Sequence, residues 1–143
     1  MRMIALQREA FRVTRQRSTS RVLLAAVEGE RHIVGLEMAA SALLHAGFDV
    51  RMLGADVPNE AIAQAVKRTE PVVLGLTATR PETAASARQV VDLVRSRDPM
   101  QGIVIGGAAA ERVVQVDPST ALCRRVSEAV EIVDALAQRS ALN

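Results

Sequence analysis

The sequence has almost no aromatic residues. Among 143 residues there are two Phe, Phe11 and Phe48, and no Trp or Tyr. Stacking of single-stranded bases on aromatic platforms is therefore excluded as the main function, and flavin or sugar binding between aromatic walls is disfavoured for the same reason. Apolar residues make up 49% of the chain. A length near 150 residues predicts one domain, whose core must be built from Ala, Val, Leu and Ile.

Cysteines and long apolar runs are also scarce. Cys123 is the single cysteine, which excludes an intrachain disulfide and a Cys-rich zinc site. No apolar run approaches the ~20 residues that a membrane span needs, and no apolar signal-peptide stretch follows the N-terminus. These features predict a soluble, cytoplasmic protein without a membrane partner.

Charge is distributed unevenly along the chain. Residues 1–21 hold six arginines against Glu9, a net charge of +5, whereas the remainder carries −3. This asymmetry predicts a basic arm over residues 1–19 and a folded domain over residues 20–140. The arm is either a solvated linker or a contact for nucleic acid or acidic lipid. Because the main body is acidic, nucleic acid is expected as an indirect partner only.

Short apolar runs alternate with segments of helical periodicity. The patterns predict strands over 21–27, 49–53, 72–76, 103–105 and 121–123, and helices over 32–46, 58–69, 81–97 and 127–138. This alternation predicts an α/β fold, a doubly wound five-stranded parallel sheet of flavodoxin-like (Rossmann-like) order 2-1-3-4-5. Ligands of such sheets bind at the carboxyl ends of the strands. The segments expected to form a site are therefore 28–35, 77–81 and 106–111.

Several ligand classes are excluded by what these loops contain. Glu28, Glu30 and His32 in the first loop are the wrong chemistry for phosphate, which favours Gly, Ser and Thr with free amides. A phosphorelay receiver would need an Asp at the end of the third strand and a Lys at the end of the fifth. Here Thr77 ends the third strand, and the one lysine, Lys67, lies in the second predicted helix. No G-x-G-x-x-G motif follows any strand, which argues against a dinucleotide.

The remaining constellation is a carboxylate, a histidine and small residues. Glu30 can accept a hydrogen bond from one ring nitrogen of His32 and raise the basicity of the other, as partners of metal-ligating histidines do. A surface ion pair would show the same spacing. The hydroxyls of Thr77 and Thr79 could equally cap the next helix, and Gly106-Gly107 could be a simple turn. His45 has no such context and is assigned to the helix surface.

Taken together, these motifs resemble a known signature. Glu30-x-His32-x-x-Gly35, Thr77-x-Thr79 and Gly106-Gly107 are similar, in order and on the expected loops, to the D-x-H-x-x-G, S-x-L and G-G motifs of cobalamin (vitamin B12)-binding domains. The similarity runs from about residue 20 to residue 138. The segment 53–58 (LGADVP) is similar to corrinoid proteins and cobalamin-sensing regulators. The Glu-Arg-His loop resembles the light-sensing transcriptional regulators of bacteria in particular.

The resemblance implies a specific cofactor site. His32 would be the lower axial ligand of cobalt, replacing the dimethylbenzimidazole base of adenosylcobalamin or methylcobalamin, and the displaced tail would lie beside the sheet. The implied cofactor-binding residues are Glu30, Arg31, His32, Ile33, Val34, Gly35, Leu36, Leu53, Gly54, Ala55, Thr77, Ala78, Thr79, Gly106, Gly107 and Ala108. Two positions depart from the family pattern. Glu30 is one methylene longer than the family aspartate, so its bond to His32 requires a shifted backbone or a water, and Thr79 replaces an apolar residue.

The resemblance also shapes the expected function. The ~20 residues before the first strand are too few for the helical bundle that covers the upper corrin face in methyltransferases and regulators. A protein partner, or a homo-oligomer, would have to cover it. The expectation is a stand-alone cobalamin-binding module, not an enzyme by itself, that acts as a sensor or carrier with a regulatory or light-sensing role. The alternatives are the small corrinoid subunit of a mutase or methyltransferase, and a cofactor-free protein-interaction module.

Overall fold

The computed structural model describes residues 17–116 and 119–142. Its strands are β1 (Arg21–Val27), β2 (Asp49–Val57), β3 (Val73–Thr77), β4 (Gly102–Gly106) and β5 (Ala121–Cys123). Its helices are α1 (Val34–His45), α2 (Asn59–Thr69), α3 (Pro81–Arg97), α4 (Ala110–Val116) and α5 (Ala129–Leu142), with a 3-10 turn at Val126–Glu128.

The strands form one parallel sheet in the order β2-β1-β3-β4-β5. This confirms the predicted flavodoxin-like α/β fold. The crossover from β1 to β2 runs one way across the sheet and the later crossovers run the other way. Right-handed connections in these two directions cover opposite faces. The sheet is therefore enclosed between two layers of helices.

Each face of the sheet has its own aliphatic core. On one face α1 and α5 pack onto the strands, with Leu36, Leu43 and Val133 among the buried side chains. On the other face α2, α3 and α4 cover the sheet, and Ile62 and Val90 are fully buried there. Both cores consist mainly of branched aliphatic residues and alanine, as the composition predicted.

Strand β2 extends to Val57, four residues beyond its predicted end. Its pairing with β1 is irregular twice, between Leu24 and Ala25 and between Ala25 and Val27. Gly54 (φ +105°) and Asp56 (φ +49°) adopt left-handed conformations in this stretch. Bulges of this kind let a strand bend while pairing continues. Residues 54–56 (Gly-Ala-Asp), whose composition is typical of a loop, therefore remain part of β2. The extension lies beside the loop that follows β1.

The helices differ from prediction at their ends. Helix α1 begins at Val34 instead of residue 32, and Gly47 (φ +101°) follows its C-cap, Ala46. Helix α4 was not predicted. Its seven residues are too short to show a periodicity. None of the helices within 17–116 and 119–142 is long and apolar enough to cross a membrane.

Most of the predicted basic arm, residues 1–16, lies outside the described residues. Arg17, at its end, packs on the domain. Its guanidinium donates to the Asp134 carboxylate (2.6 Å) and to the Ala46 carbonyl oxygen (3.3 Å), and stands 5.7 Å from the centre of the Phe48 ring. One arginine of the arm therefore contacts α5 and the end of α1, at the edge of the sheet opposite the predicted site.

Candidate functional site

The three predicted loops meet at the carboxyl edge of the sheet, because β1, β3 and β4 are adjacent and parallel. From this edge a groove of about 280 Å³ runs down between the sheet and helices α1 and α5. Its lining includes eight of the residues predicted for the site: His32, Val34, Gly35, Leu36, Thr77, Thr79, Gly106 and Gly107. The groove lies where the motifs predicted that a cofactor tail would bind.

The rest of the lining was not predicted. It comes from the sheet, α1, the turn after β5 and α5: Leu24, Ala39, Leu43, Gly75, Leu76, Val104, Cys123, Arg124, Val126, Ala129 and Val133. Gly75 carried a signal, since a glycine inside a strand often marks a close approach. A Cβ at Gly75 would come within 2.5 Å of the Leu24 Cδ2 atom. Apart from Arg124, which is exposed in the turn after β5, the other positions are apolar and resemble core residues in sequence. Only the packing of α1 and α5 brings them together.

Eight of the predicted residues, Glu30 among them, lie outside the groove lining. Arg31 is exposed beside His32, and Ile33 is the N-cap of α1. Ala78, the first residue after β3, is fully buried. The remaining four residues lie near the same edge of the sheet. Three are in β2 and one follows β4: Leu53, Gly54, Ala55 and Ala108. Leu53 is 40% exposed there.

Glu30 lies beneath the mouth of the groove with no solvent exposure. Its Oε1 accepts a hydrogen bond from the backbone N–H of Thr79 (2.6 Å) and lies 2.8 Å from Thr83 Oγ1. The Thr79 hydroxyl lies 2.9 Å from Oε1 and 2.8 Å from Oε2. Thr79 and Glu30 are the two positions that depart from the family pattern, and they are hydrogen-bonded to each other. Thr83 was not predicted, because its place in the first turn of α3 resembles an ordinary helix cap.

The environment of Glu30 holds its carboxyl ionised. Burial by itself raises the pKa of Glu30. Hydrogen bonds from Thr79, Thr83 and the His32 backbone to the carboxylate outweigh burial and lower the pKa from 4.5 to about 2. At neutral pH the site therefore contains a buried, fully charged acceptor.

His32 combines an anchored nitrogen with an exposed ring. Its side chain is 76% exposed, and its Nδ1 lies 3.1 Å from Oε2 of Glu30. The longer glutamate thus reaches the ring by a direct contact. Because the ionised carboxylate can only accept, Nδ1 must carry the proton in the neutral ring. The lone pair of the neutral imidazole then lies on Nε2, as a metal ligand requires.

Gly35 and Gly107, two glycines of the motifs, are required for different structural reasons. Gly35, in the first turn of α1, has no atom within 4 Å of the position that a Cβ would occupy, so a side chain there would enter open space at the groove. At Gly107 (φ +103°) a Cβ would clash with the Ala78 carbonyl oxygen. Gly35 therefore leaves room for a ligand, whereas Gly107 is required by the backbone itself.

The fold and the site together define a class of protein: a flavodoxin-like ligand-binding domain with an apolar groove and an exposed, carboxylate-anchored histidine. The family model described as B12 binding domain matches residues 20–137. The chain belongs to this family, and it is a corrinoid-binding domain.

The individual proteins that this chain resembles are corrinoid or cobalamin proteins by name. Dimethylamine corrinoid protein 3 of Methanosarcina mazei is 33% identical over 87 residues, which cover 59% of this chain and 52% of the relative. A cobalamin-binding protein from Desulfitobacterium hafniense DCB-2 superposes with a TM-score of 0.77 at 28% identity, over 82% of this chain and 58% of that one. The methanol:cobalamin methyltransferase complex MtaBC from Methanosarcina barkeri contains a chain that superposes with a TM-score of 0.75 at 28% identity, over 82% and 46%. This chain thus spans about half the length of the curated relatives that it matches.

Proposed function

We propose that this chain binds a corrinoid with its nucleotide tail in the groove and with His32 Nε2 as the lower axial ligand of cobalt, and that it presents the bound corrinoid to a protein partner. The observation that carries the proposal is the position of His32. An exposed imidazole stands at the mouth of an apolar groove, while a buried carboxylate holds its other nitrogen. Such an outer partner orients a ligating histidine and raises its basicity.

The residues present fit this cofactor. The groove is lined mainly by aliphatic side chains and glycine, and the open space at Gly35 leaves room at its entrance. A bound corrinoid supplies cobalt-centred alkyl chemistry. The contribution of the chain is to bind the tail, to orient the imidazole through Glu30 and to keep a proton on Nδ1.

In this proposal the partner covers the groove mouth and the bound corrinoid. His32 is open to solvent, and chemistry on an alkylated cobalt requires a site that excludes water. The solved methanol:cobalamin methyltransferase complex supports a carrier that works with a methyltransferase partner. In this proposal the chain carries the corrinoid and the partner carries the reaction.

The central test uses the small number of histidines. The chain has two, His32 and His45, so labelling all histidine with 15N labels one candidate ligand and one control on α1. Wild-type protein mixed with hydroxocobalamin and gel-filtered should elute as a coloured equimolar complex. After reduction, its cob(II)alamin EPR spectrum should show a nitrogen triplet that becomes a doublet in the labelled protein.

Two matched variants complete the test. His32→Ala should retain corrinoid through the tail but lose the labelled coupling, whereas His45→Ala should behave as wild type. A colourless wild-type eluate would refute the proposal and favour a cofactor-free interaction module. A triplet that persists in the labelled protein would show that the ligand is not histidine.

A sensor role is a second candidate, favoured by the Glu30-Arg31-His32 loop. It predicts that wild-type protein loaded with adenosylcobalamin changes its oligomeric state on illumination, as measured by light scattering. A carrier keeps the same molar mass in the dark and after photolysis, so an unchanged mass would count against the sensor.

A further inference from the structure

The loop that carries His32 is held at Gly29 from two sides. The Gly29 N–H donates to Asp56 Oδ1 (2.6 Å), and the Gly29 carbonyl oxygen accepts from the Arg80 guanidinium (2.6 Å). Asp56 lies at the bulged end of β2, and Arg80 is the N-cap of α3. Both polar groups of one loop residue are therefore fixed by side chains from neighbouring elements.

Asp56 also holds the next residue through its backbone. The Asp56 N–H donates to the carbonyl oxygen of Glu30 (2.8 Å), and the N–H of Glu30 donates to the Val27 carbonyl oxygen (2.8 Å). Asp56 adopts φ +49°, which is unfavourable for most residues that carry a side chain. Strain of this kind persists where the surrounding structure over-determines the backbone. Here it turns the N–H and the carboxylate of Asp56 toward the same two loop residues.

From these contacts we infer that Asp56 is a positioning residue for the axial histidine, a role that rests on the proposed function. Asp56 fixes the backbone at Gly29 and Glu30, the Glu30 carboxylate then meets Nδ1 of His32, and Nε2 is aimed at the groove mouth. Without the Asp56 carboxylate the loop keeps its covalent path and the Glu30 contacts, but the position of the imidazole is less restricted. Asp56 touches neither the corrinoid nor His32 in this scheme.

The variants are chosen to separate the carboxylate from backbone strain. Glycine adopts positive φ without cost, so Asp56→Gly removes the acceptor while it relaxes the backbone. Asparagine tolerates the same conformation and keeps an uncharged acceptor oxygen, so Asp56→Asn should have a smaller effect. The matched control is Glu28→Gln, which removes a carboxylate from the same exposed loop. No hydrogen bond of the Glu28 side chain is seen within the described residues.

The measurement is a competition between His32 and added imidazole. In cob(II)alamin-loaded protein with 15N-labelled histidine, unlabelled imidazole that displaces His32 converts the EPR doublet into a triplet. Outer partners of metal ligands are typically worth 10–100-fold in affinity, and Asp56 acts through one more contact, so we expect the midpoint imidazole concentration of Asp56→Gly to fall about tenfold. Asp56→Asn should show a smaller fall, and Glu28→Gln should match wild type.

The outcomes separate this inference from the function on which it rests. A wild-type protein without the labelled doublet would overturn the proposed function. A wild-type doublet with equal imidazole midpoints for Asp56→Gly and wild type would overturn the positioning role alone. Urea unfolding of the same variants supplies the structural readout. Should Asp56→Gly fail to fold, the midpoint of Asp56→Asn decides, and a value equal to that of wild type would refute the inference.

Discussion

The buried Glu30 carboxylate should make a large, pH-dependent contribution to stability. We predict that Glu30→Gln destabilises the cofactor-free domain at neutral pH. The carboxylate accepts hydrogen bonds from Thr79, Thr83 and His32, whereas an amide presents two N–H donors to a site that already consists of donors. At least one buried donor is then left without an acceptor.

The magnitude follows from the pKa of Glu30, which lies at about 2 instead of the ordinary 4.5. This difference corresponds to about 3 kcal/mol of folding free energy from the ionised group. In a domain of this size such a loss lowers the melting temperature by roughly 10 °C. Because the folded-state pKa lies below the unfolded one, the contribution is complete above about pH 4.5 and is lost as the pH falls toward about 2.

The assay is urea unfolding of wild type and Glu30→Gln at several pH values between 7 and 3, with Asp92→Asn as the control for an exposed carboxylate. The difference in free energy of unfolding between wild type and Glu30→Gln should be largest near pH 7 and shrink steadily below pH 4.5. A difference that stays constant from pH 7 to pH 3 would refute the reasoning. So would a glutamine variant as stable as wild type at pH 7.

Two further predictions concern the glycines. Gly35→Leu should leave stability unchanged or raise it by about 0.5 kcal/mol, because glycine is unfavourable within a helix, yet it should abolish corrinoid retention on gel filtration because the side chain enters the groove. A variant that still elutes coloured would show that the tail does not pass this position. Gly107→Ala should cost about 2–3 kcal/mol in thermal unfolding through strain at φ +103° and the clash with Ala78, whereas Gly106→Ala, with its nearest atom at 3.5 Å, should cost much less. Equal losses for the two alanine variants would contradict the backbone explanation.

The sheet order was predictable from the alternation of apolar runs and helical segments, but the end of β2 was not. Residues 54–56 (Gly-Ala-Asp) have low strand propensity, and they remain on the sheet because Gly54 and Asp56 take positive φ values. The two hydrogen bonds between Asp56 and the loop after β1 supply the compensation. These partners, Gly29 and Glu30, are 27 and 26 residues away from Asp56 in sequence, so no local pattern could show them.

The candidate site likewise has one part that the sequence could predict and one part that it could not. Its polar members carry a chemical signature: a carboxylate two residues before a histidine, hydroxyls after β3 and a glycine pair after β4. The floor of the groove has no such signature. Leu43, Val104 and Val133 look like core residues, and they border a groove only because the sheet stays apart from α1 and α5 near the carboxyl edge. Thr83 bonds to Glu30 for a comparable reason, since only the fold brings the start of α3 under the first loop.

The sequence by itself determined the fold class and the identity of the anchored histidine, because periodicity and residue chemistry are local properties of the chain. The tertiary structure decided how the carboxylate of Glu30 is satisfied. Its donors come from residues 79 and 83 as well as from His32, and only the adjacency of β1 and β3 brings them within hydrogen-bond distance. The same packing turns two departures from the family motif, Glu30 and Thr79, into hydrogen-bonded partners. A pattern along the chain names these residues, whereas the contact between them exists only once the sheet has formed.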